Sequence, residues 1–338
     1  MSRIVLCYPV EGRHIDMIRR AAPGDEIVDA GQERIAEALF DADLFCGHAK
    51  VPVPWDEVVS RGRLEWIQSS AAGLDHCLVP AVIDSEIVVS SASGLFADQV
   101  AEQTLALIFG LYRRLQVFLD QQHRREFERR PTWDVHGKTI GIVGLGGNGR
   151  RIAELLAPLG NRMLAVDWFP EERPAFVESL WGIDRLDDLL AQSDLVILGV
   201  PLNEHTHHLL DGARLDRMRR GAVLINVARG PVVDEAALIE RLESGHLAGA
   251  GLDVTEIEPL PTTSRLWELP NVLITPHVGA QSRSRVDDST KLFCVNLVRR
   301  RQGKPLLNRV DKRLGFPEPS VRARSLAALR EEYDRHFG

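Results

Sequence analysis

The sequence predicts an α/β protein of two domains, each built on a doubly wound parallel sheet. The chain has 338 residues, and a chain of this length usually folds as about two domains of roughly 150 residues. Short apolar runs alternate with helical patterns along it, which favours parallel strands joined by crossover helices. These runs are continuous, as expected where helices cover both faces of a sheet.

The clearest alternation lies in the second half of the chain. Its first strand is predicted over residues 139–145 and leads directly into a helix over 148–159. Further strands are predicted at 162–167, 195–200, 222–227, 248–254 and 272–275, with helices at 185–191, 213–220 and 235–243. The series predicts a complete doubly wound domain over residues 98–286.

A looser series of the same kind precedes it. Its strands are predicted at 4–7, 26–28, 44–46, 64–67 and 87–90. A long helix over 98–116 would cross between the domains, and a helix over 287–301 would return the chain to the first. We therefore predict that the first domain is discontinuous and consists of residues 1–97 and 287–338. The last stretch, 317–338, has the pattern of an amphipathic charged helix.

Composition and charge exclude several classes of protein. Hydrophobic residues make up 44% and charged residues 26% of the chain, which is the balance of a globular protein rather than a disordered or fibrous one. The net charge of -7 argues against a dedicated nucleic-acid binder. Four widely spaced cysteines match no zinc pattern, and no apolar run reaches the roughly 18 residues of a membrane span. We expect a soluble cytoplasmic protein with neither nucleic-acid nor membrane partners.

A glycine-rich motif, GLGGNG, follows the strand at 139–145 and opens the next helix. Gly144 permits a tight turn, Gly146 lets the backbone approach a pyrophosphate, and Gly149 allows close packing of helix on strand. The helix N-terminus offers free N–H groups and a positive dipole end to phosphates. The motif in this context predicts a Rossmann-like dinucleotide site. The alternative is a simple glycine turn.

The acid expected to accompany such a motif is Asp167. It ends the next strand, 18 residues beyond Gly149, close to the spacing of about 20 typical of the ribose-binding acid. A carboxylate there accepts hydrogen bonds from the 2′-hydroxyl and repels a 2′-phosphate. The sequence therefore predicts NAD as cofactor, with NADP disfavoured.

Three polar residues follow later strands of the same domain: Arg229, Glu258 and His277. Ligands bind beyond the carboxyl ends of the strands in open α/β sheets, so these side chains are candidates for catalysis. Each also has a structural interpretation, as a helix-end cation, a loop acid and a turn residue. An imidazole is the natural proton donor near neutral pH, a nearby carboxylate would stabilise the imidazolium, and a guanidinium can grip a 2-oxo acid through two donors.

Several motifs in order resemble those of the D-isomer-specific 2-hydroxyacid dehydrogenases. They are SAAGLD at 70–75, VAE at 100–102, GKTIGIVGLG from residue 137, INVARG ending at residue 230, GLDV at 251–254, EPLP at 258–261 and TPHVG at 275–279. The resemblance covers residues 40–305. It implies a substrate-binding domain and an NAD-binding domain with a cleft between them, and a homodimer formed mainly through the NAD-binding domains.

The resemblance also implies roles for individual residues. Arg229 would bind the substrate carboxylate and carbonyl, His277 would be the acid/base, and Glu258 would be its partner. The cofactor would be bound by Gly144, Gly146, Gly147, Asn148, Gly149, Asp167, Thr206, Val227, Ala228, Arg229, Asp253, His277 and Gly279. The substrate would be bound by Ala72, Gly73, Arg229 and His277. The family pattern has an apolar residue where this chain has Asn148, which puts the packing of that helix in question.

The resulting hypothesis is an NAD-dependent enzyme that interconverts a small 2-oxo acid and its D-2-hydroxy acid. One alternative is an NAD(H)-sensing binding protein like the corepressors that resemble this family, and another is a phosphite-type oxidoreductase. The run EHTHH, with His205, His207 and His208, invites a metal interpretation. Its spacing fits no zinc pattern, so we expect no metal.

Overall fold

The structure is a computed structural model that describes residues 1–170, 172–317 and 326–338. The chain divides into two compact units, one formed by Met1–Phe96 and Ser282–Gly338 and the other by Ala97–Gln281. The sequence placed these boundaries after residues 97 and 286. Both units are built on parallel sheets with helices, so the predicted fold class is confirmed.

The first part of the first unit forms a five-stranded parallel sheet in the order β2-β1-β3-β4-β5. The strands are β1 (Arg3–Cys7), β2 (Glu26–Asp29), β3 (Leu44–Gly47), β4 (Trp66–Ser69) and β5 (Val88–Ser90). The helices are α1 (Gly12–Ala21), α2 (Ile35–Ala38), α3 (Trp55–Ser60) and α4 (Pro80–Ile83). Strands β3 and β4 are buried throughout, as is typical of inner strands in a parallel sheet that is covered on both faces.

The second unit contains a seven-stranded parallel sheet. Its helices are α5 (Ala97–Tyr112), α6 (Leu115–Arg124), α7 (Gly147–Leu156), α8 (Leu186–Gln192), α9 (Gly212–Arg217) and α10 (Glu235–Glu243). Its strands are β6 (Thr139–Val143), β7 (Arg162–Asp167), β8 (Ser179–Gly182), β9 (Leu195–Leu198), β10 (Val223–Asn226), β11 (Gly249–Leu252) and β12 (Val272–Ile274).

The strand order β12-β11-β10-β9-β6-β7-β8 decides where a ligand can bind in this unit. The chain runs outward from β6 through β7 to β8, then restarts at β9 on the other side of β6. The two directions of winding part between β6 and β9, and a doubly wound sheet binds ligands at that point, beyond its carboxyl edge.

Helix α7 packs on this sheet although Asn148 lies in its first turn. The helix buries Ile152, Ala153 and Leu156 completely, while Asn148 is half-buried. The buried apolar residues of α7 therefore lie beyond Asn148.

The predicted helix over 98–116 is wrong as a single element. Helix α5 ends at Tyr112, and α6 begins at Leu115. Between them Arg114 adopts a left-handed conformation with φ of 54°, which a continuing right-handed helix does not allow. Of residues 113–116 only Leu115 is apolar, so the apolar spacing gave little support for a helix beyond Tyr112.

Strand β8 is an element that the sequence pattern did not predict. It has four residues, Ser179–Gly182, and all of them are only half-buried. It pairs with β7 alone, at the edge of the sheet. A short, partly exposed edge strand lacks the long apolar run that identified the central strands.

The chain returns to the first unit through α11 (Arg285–Arg301), followed by the two-residue strands β13 (Val310–Asp311) and β14 (Phe316–Pro317) and by α12 (Leu326–Phe337). Of the amphipathic helix predicted over 317–338, α12 accounts for Leu326–Phe337, whereas Pro317 ends strand β14. Residues 318–325 lie outside the described part of the chain. No helix in the described residues has the length and apolar character to cross a membrane.

Candidate active site

The glycine loop lies between β6 and α7 at the carboxyl edge of the second sheet. Gly144 has φ of +93°, and a Cβ there would lie 2.8 Å from a methyl group of Val200. A Cβ on Gly149 would lie 2.0 Å from the carbonyl oxygen of Gly144. Gly146 is the N-cap of α7, and a Cβ on it would meet no protein atom within 4 Å.

This arrangement fits a dinucleotide. Two of the glycines are required by the protein's own packing, whereas the side of Gly146 faces no protein atom, so a pyrophosphate can approach the backbone there. No side chain caps the first turn of α7. The helix N-terminus therefore keeps N–H groups of Gly147 and its neighbours for an anion.

Asp167 ends β7, and its side chain contacts the same loop. Its Oδ2 accepts a hydrogen bond from the Leu145 amide at 2.7 Å, and its Oδ1 accepts one from the Phe169 amide at 2.8 Å. The carboxylate therefore already braces the glycine loop. Since an ionised carboxylate has about four lone-pair sites, it retains acceptor capacity for ribose hydroxyls.

Thr206 is buried in the loop that follows β9. Its Oγ1 donates to the Pro201 carbonyl at 2.7 Å and accepts from the Asn203 amide at 2.8 Å. The structure thus shows Thr206 holding this loop in shape. The contact between its hydroxyl and the cofactor stays a prediction.

Arg229 lies three residues beyond β10, after Val227 and Ala228. Its backbone is held by Asn226, whose Nδ2 donates to the Arg229 carbonyl at 3.0 Å and whose Oδ1 accepts from the Ala228 amide at 3.0 Å. Asn226 is fully buried. The arginine is therefore presented by a turn that the last residue of the strand fixes internally.

Glu258 and His277 are in contact, although 19 residues separate them in sequence. His277 Nδ1 lies 2.8 Å from Glu258 Oε2, and because an ionised carboxylate only accepts, the ring donates this hydrogen bond. Glu258 Oε1 accepts from the Thr255 amide at 3.2 Å. The other ring nitrogen of His277, Nε2, takes no part in this contact, and its exchange of a proton with a substrate stays a prediction.

The turn that carries His277 is held by Asp253, which is buried at the end of β11. Asp253 Oδ1 accepts from the Thr275 hydroxyl at 2.6 Å and from the Val278 amide at 3.0 Å. Its Oδ2 accepts from the Gly279 amide at 2.8 Å, and its carbonyl accepts from the His277 amide at 2.8 Å. These bonds fix His277 at φ of 53°, a conformation rare outside glycine.

The charge state of Glu258 follows from its surroundings. Burial opposes ionisation of the carboxyl, but the hydrogen bond and the charge of His277 outweigh it and hold the pKa of Glu258 below its usual value. The Thr255 amide and the Arg229 charge act in the same direction. The carboxylate is therefore ionised at neutral pH, and both His277 and Arg229 favour its ionised form.

Comparison with known proteins assigns the chain to a family. Residues 105–279 match the family model described as "D-isomer specific 2-hydroxyacid dehydrogenase, NAD binding domain". The chain belongs to the D-isomer specific 2-hydroxyacid dehydrogenases. The dehydrogenase is thus an oxidoreductase with a nicotinamide-cofactor domain in its second unit, as the motifs predicted.

Relatives with assigned names include two enzymes of 2-hydroxy acids. The dehydrogenase is 32% identical to the glyoxylate reductase of Korarchaeum cryptofilum over 82% of this chain and 85% of that one. It is 32% identical to the glycerate dehydrogenase of Methylorubrum extorquens over 81% and 87%. Among solved structures, it resembles the family member from Xanthobacter autotrophicus in complex with NADPH and MES, at TM-score 0.78, 30% identity and coverage of 93% and 99%.

The other residues that the sequence singled out are Ala72, Gly73 and the histidines of the EHTHH run. Ala72 and Gly73 are in the loop after β4 of the first unit, and their contact with substrate stays a prediction. His208 of the EHTHH run pairs with Glu256. No group of three or more histidine, cysteine, aspartate and glutamate side chains suited to a metal ion is present in residues 1–170, 172–317 and 326–338.

Sequence reasoning missed the residues that hold this site together. Asn226 supports Arg229, and Gln103 of α5 donates to the Thr275 hydroxyl at 2.9 Å, which in turn donates to Asp253. Asn226 left a readable signal, because it is a polar residue inside the apolar run AVLINV. Gln103 left none, since its partner is 172 residues away in sequence.

Proposed function

We propose that the dehydrogenase reduces a small 2-oxo acid, in the size range of glyoxylate or hydroxypyruvate, to its D-2-hydroxy acid with NADH. The observation that carries this proposal is the 2.8 Å pair of His277 and Glu258, which lies close enough to Arg229 for the charges to interact. The glyoxylate reductase and glycerate dehydrogenase names of its relatives support the substrate class.

Each residue of the set has a distinct task. The chemistry that a nicotinamide cofactor supplies when bound is hydride transfer to the carbonyl carbon. Arg229 would bind the substrate carboxylate and polarise the ketone oxygen as negative charge develops there. His277 Nε2 would give a proton to that oxygen, and Glu258 would keep the ring oriented and stabilise its protonated form.

We further propose NADH rather than NADPH as the cofactor. Asp167 ends β7 with its carboxylate beside the glycine loop, where a 2′-phosphate would meet a like charge. The charged residues that follow are two glutamates and Arg173, and Arg150 donates to the Leu145 carbonyl of the glycine loop at 3.1 Å. One solved relative holds NADPH, so the preference for NADH in this chain rests on the carboxylate of Asp167.

A homodimer is the third part of the proposal. Four large apolar side chains between residues 115 and 133 of the second unit are exposed: Leu115, Leu119, Phe127 and Trp133. Large exposed apolar side chains are typical of interaction sites when they form a patch, and the family resemblance favours a second copy as the occupant. Leu119→Asp should shift the protein from dimer to monomer in sedimentation equilibrium, and a dimer unaffected by that change would exclude this surface.

We also propose a cytoplasmic location. All four cysteines are buried as free thiols, which is typical of proteins from reducing compartments.

The test of the activity is NADH oxidation, followed by absorbance, with glyoxylate, hydroxypyruvate, pyruvate, branched 2-oxo acids and 3-phosphohydroxypyruvate. NADPH is run in parallel. Rapid turnover of one acid with NADH is the expected result. Tight NADH binding without turnover would instead favour an NAD(H)-sensing protein, and phosphite-dependent reduction of NAD would favour the phosphite-type oxidoreductase.

A further inference from the structure

We propose that Glu256 is a positioning residue for catalysis, which holds the loop of Glu258 against helix α10 and against His208 so that Glu258 stays bound to His277. The inference rests on the proposed function for the role of Glu258. It adds a residue that neither touches His277 nor lies among the predicted site residues.

The carboxylate of Glu256 has a partner on each oxygen. Its Oε1 lies 2.9 Å from His208 Nε2, and its Oε2 accepts from the Glu235 amide at 3.2 Å. Glu235 is the first residue of α10, so this amide is one of the N–H groups that the helix itself leaves unsatisfied. Glu256 thereby places a negative charge at the positive end of the helix dipole.

The contact with α10 is reciprocal. The Glu256 amide donates to Glu235 Oε2 at 2.9 Å, while the Glu256 side chain accepts from the Glu235 amide. Burial, with the nearby charge of Glu256, raises the pKa of Glu235 above its usual value, although the Glu256 amide works against that shift. Two backbone segments 21 residues apart are thus joined by two hydrogen bonds.

The other side of the contact is also anchored. The His208 amide donates to the Pro231 carbonyl at 2.8 Å, and Leu210 forms a bridge with Val233. His208 therefore belongs to a segment that is tied to the start of α10. The His208 and Glu256 side chains are 35% and 32% exposed, so water reaches their hydrogen bond only in part.

Glu258 lies two residues beyond Glu256 in the same short loop, so contacts that hold Glu256 also restrict Glu258. The Thr255 amide donates to Glu258 Oε1, and the Thr255 hydroxyl donates to the Ile257 carbonyl at 2.9 Å. The loop also fits tightly on the Arg229 turn, because a Cβ on Gly230 would lie 1.8 Å from the Thr255 carbonyl oxygen. Releasing Glu256 would free the loop that sets the distance between Glu258 and His277.

A double-mutant cycle tests the proposal in the full-length enzyme. Glu256→Ala should lower kcat by about 10- to 100-fold, because misplacement of about 1 Å can cost that much in rate. In a Glu258→Ala background the same change should alter kcat by less than about twofold, since the residue acts through Glu258. An equal loss in both backgrounds would overturn the proposal.

Three further variants separate positioning from folding and from charge. Glu235→Gln keeps an acceptor for the Glu256 amide and should retain kcat, whereas Glu235→Ala should follow Glu256→Ala. Glu240→Ala removes an exposed glutamate of the same helix, paired with Arg241, and should leave kcat unchanged. An equal loss of kcat in Glu240→Ala and Glu256→Ala would overturn the proposal. It would mean that removing any carboxylate on α10 or next to it has this effect.

An NMR measurement that needs no turnover tests the positioning role of Glu256 separately from the proposed activity. In protein labelled with ¹⁵N-histidine, the ring signals of His277 are identified by their absence in His277→Gln. Glu256→Ala should move the Nδ1 signal toward its position in Glu258→Ala, while the His246 signals stay in place. Unmoved His277 signals would overturn the positioning role even if the enzyme turns over. Moved signals in a protein without turnover would refute only the proposed activity.

Discussion

The glycine loop after β6 and the turn that carries His277 after β12 lie at the same edge of one sheet, but they are built differently. The loop is shaped mainly by sterics, since a Cβ at Gly144 or Gly149 would collide with neighbouring atoms. Asp167 adds one hydrogen bond, to the Leu145 amide. The His277 turn is shaped by a distant carboxylate, because Asp253 binds Thr275, Val278 and Gly279 across more than 20 residues. The shape of the glycine loop therefore depends mainly on residues without side chains, whereas the position of the His277 ring depends on hydrogen bonds to one buried carboxylate.

The largest effect should come from His277. His277→Ala removes the proton donor and should lower kcat by about 10²- to 10⁴-fold, with NADH affinity nearly unchanged because the glycine loop is untouched. Steady-state kinetics and fluorescence titration of NADH measure the two quantities. His246→Ala, which loses only a contact with the Leu215 carbonyl, is the matched control. Full activity of the His277 variant would remove this residue from the mechanism.

The opposite pattern is expected in the glycine loop. Gly146→Ala should weaken NADH binding about tenfold or more, because its methyl group would occupy the side from which a pyrophosphate approaches. Its Tm should stay unchanged, since no protein atom lies within 4 Å of that methyl position. Calorimetry of binding and of unfolding gives both values. Unweakened NADH binding would contradict the placement of the phosphates.

Gly149→Ala separates packing from cofactor binding within the same loop. The added methyl group would lie 2.0 Å from the Gly144 carbonyl oxygen, so the helix must shift. We expect a loss of about 1–3 kcal/mol in the free energy of unfolding, measured by urea denaturation without cofactor. A stability equal to that of Gly146→Ala would show that α7 can move away at no cost.

Asp167→Ala should alter cofactor choice. Removing the carboxylate takes away both an acceptor for the ribose and the repulsion of a 2′-phosphate, so the ratio of kcat/KM for NADH over NADPH should fall about tenfold. Asp211→Ala removes a carboxylate that caps α9 instead, and it should leave the ratio unchanged. An unaltered ratio in the Asp167 variant would place cofactor selection elsewhere.

The smallest effect concerns stability and pH. The pKa of Glu258 is lowered in the folded protein, so its ionised form favours folding. This contribution is fully present above the unfolded value near 4.5 and is lost as the pH falls through the lower folded value. Glu258→Gln should therefore be slightly less stable than the native protein at neutral pH, and the difference should vanish in acid. Urea unfolding across that range measures it, and a constant difference would assign it to packing.

The sequence predictions succeeded where a structural feature is encoded by neighbouring residues and failed where it depends on residues far apart in the chain. Central strands such as β6 and β9 were predicted because their burial makes the whole run apolar. The break at Arg114 and the edge strand β8 were missed, because neither left a periodic signal. Arg229, Glu258 and His277 were singled out by their place after apolar runs, and their roles stay predictions. What the sequence could not supply was how they are held, which depends on Asn226, Asp253 and Glu256.

By itself, the sequence determined the fold class, the glycine loop and the family, because sheet burial and tight turns impose residue types on neighbouring positions. Only the tertiary structure decided that Nδ1 of His277 binds Glu258, and that both carboxylate oxygens of Asp253 accept hydrogen bonds from the His277 turn. Those contacts join residues on different strands, and their geometry is set by the parallel register of β10, β11 and β12. Hydrogen bonds depend on distances of tenths of an ångström, which the order of residues does not specify.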